Sequence, residues 1–266
     1  MNSGIDKLLA ILRRDLLVAI RYRAGFVTSV IGLLTQVAAF FFLSQAIGPT
    51  FRPGGVEYFP FLLVGTGLYT FFVLSTQAFV STVQEAQTTG TIEVLMTTST
   101  APAELMVLSS VSTFAGKLAN LAIYLVVGIA LFRAPIHANA LSCLIVLATS
   151  LAIAMALGIA AASVQVVLQK GSAFVWLLGS VVWFLSGAMF PVESLPHPLM
   201  VAARWIPLTH AIEGMRMALL QGYSVSAMKT TLAILAVFSA ILLPLSLAGL
   251  SFSLRKARQN GSLSFY

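Results

Sequence analysis

The chain has 266 residues, of which 59% are hydrophobic and only 9% charged, with a mean hydropathy of +0.97. A soluble domain of this size carries about 25% charged residues, so a water-soluble globule is excluded and the apolar surface must face lipid. The net charge of +7 does not point to nucleic acid, because the basic residues gather at the chain ends and in a short loop, the pattern that orients membrane proteins.

Crossing ~30 Å of hydrocarbon takes about 20 apolar residues in a helix. Several such runs are present, and none alternates as a barrel strand does. The expected fold is therefore an all-α integral membrane protein with six transmembrane helices. A single transmembrane domain is expected, covering 1–266.

Ahead of the first span, residues 5–23 repeat apolar side chains at three and four (Ile5, Leu8, Leu9, Leu12, Leu16, Ile20), with Asp6, Lys7, Arg13, Arg14 and Arg21 opposite. That pattern predicts an N-terminal interfacial helix. It serves either as a basic flank that sets topology or as a collar against which spans and a cytoplasmic partner brace. Nothing behind the first apolar run resembles a signal-peptide cleavage site.

The first span is expected at Phe26–Ile47, ended by Gly48-Pro49, and the second at Tyr58–Val83. The stretch 84–102, QEAQTTGTIEVLMTTSTAP, is polar yet has no Lys or Arg. Within it a short helix is expected, with Gly90 as N-cap, Glu93 where a carboxylate favours free amides, and Ile92, Leu95 and Met96 as an apolar face. The stretch reads as a solvated connector or as a docking element for a protein partner.

The third span lies within Glu104–Phe132 and contains Lys117, which marks either a pathway or a side chain snorkelling to lipid phosphate. The fourth covers Ala140–Leu168 and the fifth Ala173–Phe190. Cys143 has no partner for a disulfide or a metal. Residues 187–229 then hold four prolines, Pro191, Pro196, Pro198 and Pro207, which cut the chain into pieces too short to cross. Two brief helices are expected there, Leu199–Trp205 and Thr209–Gln221, forming a re-entrant hairpin in which Glu213 and Arg216 pair on one face. This hairpin is either an inert cap or a gate. The sixth span is expected at Thr230–Leu254.

The N-terminal flank, Lys170 and the tail hold nine basic residues, against five at Arg52, Arg133, Arg204, Arg216 and Lys229. The expectation is a multi-pass protein with both termini cytoplasmic, placing 84–102 inside and 187–229 outside. No G-x-x-x-x-G-K-[ST] or H-E-x-x-H occurs. Ser186 with His197 or His210 lacks the third group that a catalytic triad needs. The chain is expected not to be an enzyme and to hold no metal.

Two motifs carry a resemblance. Glu85, then Gly90-Thr91-Ile92-Glu93-x-Leu95 and Pro102, is similar to the E…GT[LI]E-x-L…P loop of ABC-2 type permeases, the membrane subunits of ATP-binding-cassette exporters. Phe190-Pro191, Leu195-Pro196, Pro207-Leu208-Thr209-His210-Ala211, Arg216 and Gly222 resemble that family's second signature. Gly116-Lys117 sits later than the Gly-Lys of many members, so no role transfers to Lys117.

The resemblance implies a plasma (inner) membrane exporter, acting as a homodimer with two copies of a separate ATPase subunit that binds ATP and Mg. No cofactor is expected in this chain. Glu85, Gly90, Thr91, Glu93 and Leu95 would couple the ATPase to the spans. Pro191, Pro207, Glu213 and Arg216 would shape the external hairpin. The second and fifth spans would line a path at the dimer interface, with Phe71, Phe72, Phe174 and Trp183 as candidate lining for a hydrophobic or amphipathic substrate. The competing classes are a self-contained channel or carrier, which predicts paired charges or broken helices in the spans, and a membrane scaffold.

Overall fold

The computed structural model describes residues 23–89, 102–168 and 171–260. The described chain is helical throughout, in the order α1 (Arg23–Ile47), α2 (Tyr58–Thr88), α3 (Pro102–Phe132), α4 (Ala140–Leu168), α5 (Gly171–Leu185), α6 (His197–Arg204), α7 (Pro207–Leu219) and α8 (Lys229–Asn260). One-turn 3-10 segments at Pro53–Gly55 and Val192–Ser194 punctuate the loops. Of the interfacial helix expected at residues 5–23, all but Arg23 lies outside the described residues, and Arg23 begins α1.

Five of these helices are long and apolar enough to cross a membrane: α1, α2, α3, α4 and α8. The expected fifth span, Ala173–Phe190, is shorter in the structure. Helix α5 has 15 residues, a rise of about 22 Å, and stops at Leu185. Gly187 follows with φ +73, a left-handed turn that glycine adopts without strain.

Helices α2 and α4 form the centre. Within its apolar stretch, 72% of α2 is buried, against 6% for α1, so α2 is a core helix and α1 lies at the rim. The core joins Phe71, Phe72 and Phe79 of α2 to Phe114 of α3, Ile153, Ile159 and Val166 of α4, and Leu235 and Leu250 of α8. Phe114 meets both Phe71 and Phe79 edge-on, with centroids 5.4 and 6.2 Å apart, the geometry that the ring quadrupoles favour.

Small residues let the helices approach. A Cβ at Gly128 would strike the Leu63 side chain, and one at Gly158 would strike Phe79. Between α2 and α3, Thr66 Oγ1 lies 2.9 Å from Tyr124 Oη. Both groups are buried, and the bond keeps two polar atoms satisfied where lipid and side chains offer no water.

Helix α2 continues to Thr88, beyond the expected end at Val83. Gln84, Glu85 and Gln87 are therefore helical, and the loop begins later than the sequence pattern implied. Gln87 is fully buried and accepts from Gln165 Nε2 of α4 at 3.1 Å, a side-chain partner that extends the packed helix past the apolar run.

Helix α8 carries Pro244 in its interior. Proline removes one backbone donor, a defect that membrane helices tolerate where neighbouring protein or side chains compensate.

Candidate functional site: the 186–228 hairpin and the α2–α5 face

Three connecting stretches, 48–57, 133–139 and 186–228, meet at one end of the bundle. His137 N and Asn139 N donate to Leu219 O and Ala218 O at 3.2 and 2.9 Å, taking up carbonyls that the end of α7 leaves open. Ser142 Oγ donates to Tyr223 O at 2.8 Å, and Gln221 Nε2 to Gly54 O at 3.0 Å. Tyr58 Oη donates to Met189 O at 3.1 Å. The hairpin is thus tied to the first and third connections, and the three lie on the same side of the membrane.

Helices α6 and α7 fall close to the expected Leu199–Trp205 and Thr209–Gln221. Both start earlier, because Pro198 and Pro207 occupy first-turn positions where proline's missing N–H is harmless. Gly222, at φ +70, ends the second. Pro191 leads into the 3-10 segment that follows α5.

Arg216 is the centre of this hairpin. Its Nε and Nη2 both donate to Phe61 O, at 3.2 and 2.9 Å. Nη1 donates to Gly187 O at 2.9 Å and Nη2 to Ala188 O at 3.0 Å. The guanidinium also stacks on the Phe61 ring, 3.3 Å from its centroid. One fork therefore holds α7, the first turn of α2 and the carbonyls beyond the C-terminus of α5, where a cation is electrostatically favoured.

The expected Glu213–Arg216 pair is not formed. Glu213 is exposed, and the guanidinium turns inward to the Phe61, Gly187 and Ala188 carbonyls. Burial pushes the Arg216 pKa down to about 9, while Glu213 and Glu193 oppose the shift from a distance. The group remains protonated at neutral pH. The guanidinium is enclosed although the residue as a whole keeps partial exposure.

Beside Arg216 lies a cavity of about 500 Å3, lined by Phe61, Ser186, Glu193, Arg204, Thr209 and Glu213 among others. Ser186 and Thr209 are 1% and 6% exposed. Neither hydroxyl has a hydrogen-bond partner among the described residues, and such an unmatched buried group costs about 1–3 kcal/mol.

A second feature is the outward face shared by α2 and α5. Tyr69 Oη donates to Gly179 O at 2.9 Å, and Tyr69 and Trp183 meet edge-on at 4.4 Å. Beyond this seam, α5 exposes Trp176, Leu177, Val181 and Phe184. Along α2, Leu74, Ser81 and Glu85 are exposed and Gln77 and Gln84 half-buried, a stripe beside the α5 seam whose Leu74 lines the cavity that also holds Gln36 and Lys117.

The candidate lining residues divide. Phe71 and Phe72 are 2% and 3% exposed and belong to the packed interior of the chain. Trp183 is half-buried at the α2–α5 seam. The Phe174 side chain lies outside the described residues, as do Gly90, Thr91, Glu93 and Leu95. Glu85 is exposed on the last turn of α2. A period-of-four polar pattern, Gln77, Ser81 and Glu85, was the available sequence signal for the stripe.

Lys117 sits near the middle of α3, Pro102–Phe132. It lines a small cavity with Gln36, Thr70 and Asn120.

Among the described residues, an all-helical bundle with five helices long and apolar enough to span, and two short helices folded over one end, defines an all-α multi-pass membrane protein in architecture. The ABC-2 type transporter family matches residues 6–220, most of the chain, and the protein belongs to that family. No curated protein matches the chain. As a family member it is a multi-pass membrane permease component, and the family associates with an ABC ATPase.

Proposed function

We propose that the chain is the permease subunit of an ATP-driven exporter, working as a homodimer with two separate ATPase subunits that hold ATP and Mg. The path runs along the α2 stripe of Leu74, Gln77 and Ser81, with the exposed α5 residues Trp176, Val181 and Phe184 facing it from the second copy. This reading replaces Phe71 and Phe72 as lining, since side chains enclosed in the protomer have no access to a path between protomers. The residues 84–102 form the coupling element, with both termini and this loop in the cytoplasm of a plasma (inner) membrane. The substrate is hydrophobic or amphipathic and leaves beneath the outer hairpin.

The observation that carries the reading is the stripe itself. In lipid, a row of Gln77, Ser81 and Gln84 on an outward face is unfavourable, so a partner or an aqueous path must cover it. The stripe ends at Glu85, where the polar stretch begins, which supports a connection between path and coupling loop. The chain has no phosphate-cradling motif of its own, so ATP-driven movement needs a second subunit.

Co-purification with each candidate ATPase tests the proposal. An ATPase should be retained by the parent chain and lost when residues 90–96 are scrambled. Equal recovery with the scrambled loop, or failure of every candidate ATPase to bind, overturns it.

A further inference from the structure

Another cavity, of about 290 Å3, opens where α1 and α3 end beside the start of α2. Its wall carries Arg52, Glu57 and Arg133 together with the rings of Phe41, Phe59 and Phe132. Each ring meets the other two, at centroid distances of 5.4, 4.7 and 5.6 Å. Packing therefore fixes this part of the wall.

Arg133 is held in an unusual way. It follows the last residue of α3 with φ +49, a left-handed conformation that glycine commonly supplies there and that a Cβ disfavours. No other non-glycine residue among the described residues has a positive φ. Arg52 is already engaged, 4.0 Å from Glu57 and donating Nε to Pro49 O at 3.3 Å. The Arg133 guanidinium has no hydrogen bond or ion pair among the described residues. Arg52 and Glu57 offset each other, so the Arg133 charge leaves the cavity formally positive by one. An uncompensated arginine at a position that suits glycine points to an anion as its partner.

The surroundings say which kind of anion. Ile47, Phe51 and Leu131, around the cavity, are 44%, 40% and 63% exposed. A soluble anion makes no use of such flanks, whereas an amphiphile places its head on the arginines and its chains on the apolar rim. The apolar stretches of α1 and α3 end at Ile47 and Phe132. That puts the cavity just beyond the hydrocarbon, at the depth of lipid phosphates.

We propose that this cavity is a resident site for an anionic phospholipid, its phosphodiester held by Arg133 and Arg52 and its chains lying along α1 and α3. Glu57 disfavours a second negative charge, so a headgroup with a single one, such as phosphatidylglycerol, fits best. A zwitterionic headgroup would bring its own cation to a positive cavity. The site is separate from the proposed path, because α5 packs on α2 and α4 while α1 and α3 frame the lipid. Binding requires neither an ATPase nor a direction of transport.

Native mass spectrometry of the full chain, released from detergent without any ATPase, counts retained lipid directly. A single dioleoylphosphatidylglycerol per chain is expected, held about tenfold more tightly than dioleoylphosphatidylcholine. Glycerol 3-phosphate is the soluble arm and should neither bind nor displace the lipid at equal concentration. Arg133→Gly should weaken phosphatidylglycerol about tenfold, with the unfolding midpoint of lipid-free protein unchanged or higher, because glycine takes a positive φ freely. That pairing of results separates lipid contact from folding.

Arg52→Gln, at an exposed residue, should also weaken the lipid and tests the site even if Arg133→Gly fails to fold. Arg255→Gln removes the same charge near the far end of α8 and should bind as the parent does. Equal retention of the two phospholipids, displacement by glycerol 3-phosphate, or parent-like binding in both Arg133→Gly and Arg52→Gln overturns the proposal. Loss of a dimer peak in place of lipid in Arg133→Gly would assign the cavity to a second copy, and overturns it too. Because no ATPase is present, the outcome is independent of the co-purification result.

Discussion

Arg216 lies flat against the Phe61 ring, 3.3 Å from its centroid, while two of its nitrogens donate to the Phe61 carbonyl. A single residue of α2 thus receives both faces of the interaction, and the same guanidinium reaches Gly187 and Ala188. Removing it strands the Gly187 and Ala188 carbonyls in a buried place, while Phe61 O keeps its bond within α2. Arg216→Ala should destabilise the protein by about 3 kcal/mol or more, read as a lower midpoint of thermal unfolding in detergent. Arg216→Lys keeps the charge and loses the planar fork, so it should fall between Ala and parent. A Lys variant as stable as the parent would show that charge alone suffices.

Gly65 is the close-approach position for this clamp. A Cβ there would collide with Ala188 O and Arg216 Nη2, and the first of these is backbone that cannot rotate away. Gly65→Ala should therefore destabilise by about 1–3 kcal/mol. Gly116→Ala is the control, because nothing lies within 4 Å of its Cβ position. It should be neutral or stabilise by up to about 1 kcal/mol. Equal unfolding midpoints for the two variants would refute the crowding at Gly65.

Tyr124→Phe should cost little, about 1 kcal/mol or less. Thr66 Oγ1 also donates to Leu62 O at 2.6 Å, so its proton stays matched when the tyrosine hydroxyl is gone. Thr66→Val should cost more, because it leaves the buried Tyr124 hydroxyl without that partner. Guanidinium-free thermal melts of the two variants, compared side by side, give the order.

The α2 faces separate path from core. Phe72→Ala removes a buried ring and should cost about 3–5 kcal/mol, lowering recovery of folded protein. Ser81→Trp adds bulk on an exposed face, leaves the unfolding midpoint within about 0.5 kcal/mol of the parent, and should block transport in reconstituted vesicles. Full transport by Ser81→Trp would count against the stripe as the path.

Glu85→Lys reverses an exposed charge next to the polar loop. On the proposed coupling role, ATPase retention should fall several-fold with stability unchanged. Retention equal to the parent would remove Glu85 from the interface, and the same comparison with Glu93→Lys tests the loop itself.

Membrane residence and helical class were legible from residues 1–266 alone, because lipid allows so few ways to satisfy a backbone. Apolar run length located α4 to the residue at Ala140–Leu168, and proline and glycine marked the ends of α6 and α7. The two motifs at Glu85–Pro102 and Phe190–Gly222 pointed to the family that residues 6–220 match. These are local properties, set by composition, capping and backbone chemistry within one segment.

Partner choice was not local. An i, i+3 spacing on a helix allowed Glu213 and Arg216 to pair, yet Arg216 turned to Phe61, 155 residues away, because buried carbonyls outbid a solvated carboxylate. The same reasoning applies to Phe71 and Phe72. Aromatic residues in a span read alike whether they face lipid, a path or the core, and only the packing of α2 against α3 and α4 placed these two inside. The orphaned Ser186 and Thr209 hydroxyls are invisible in sequence for the same reason: whether a hydroxyl is matched depends on what the fold brings beside it.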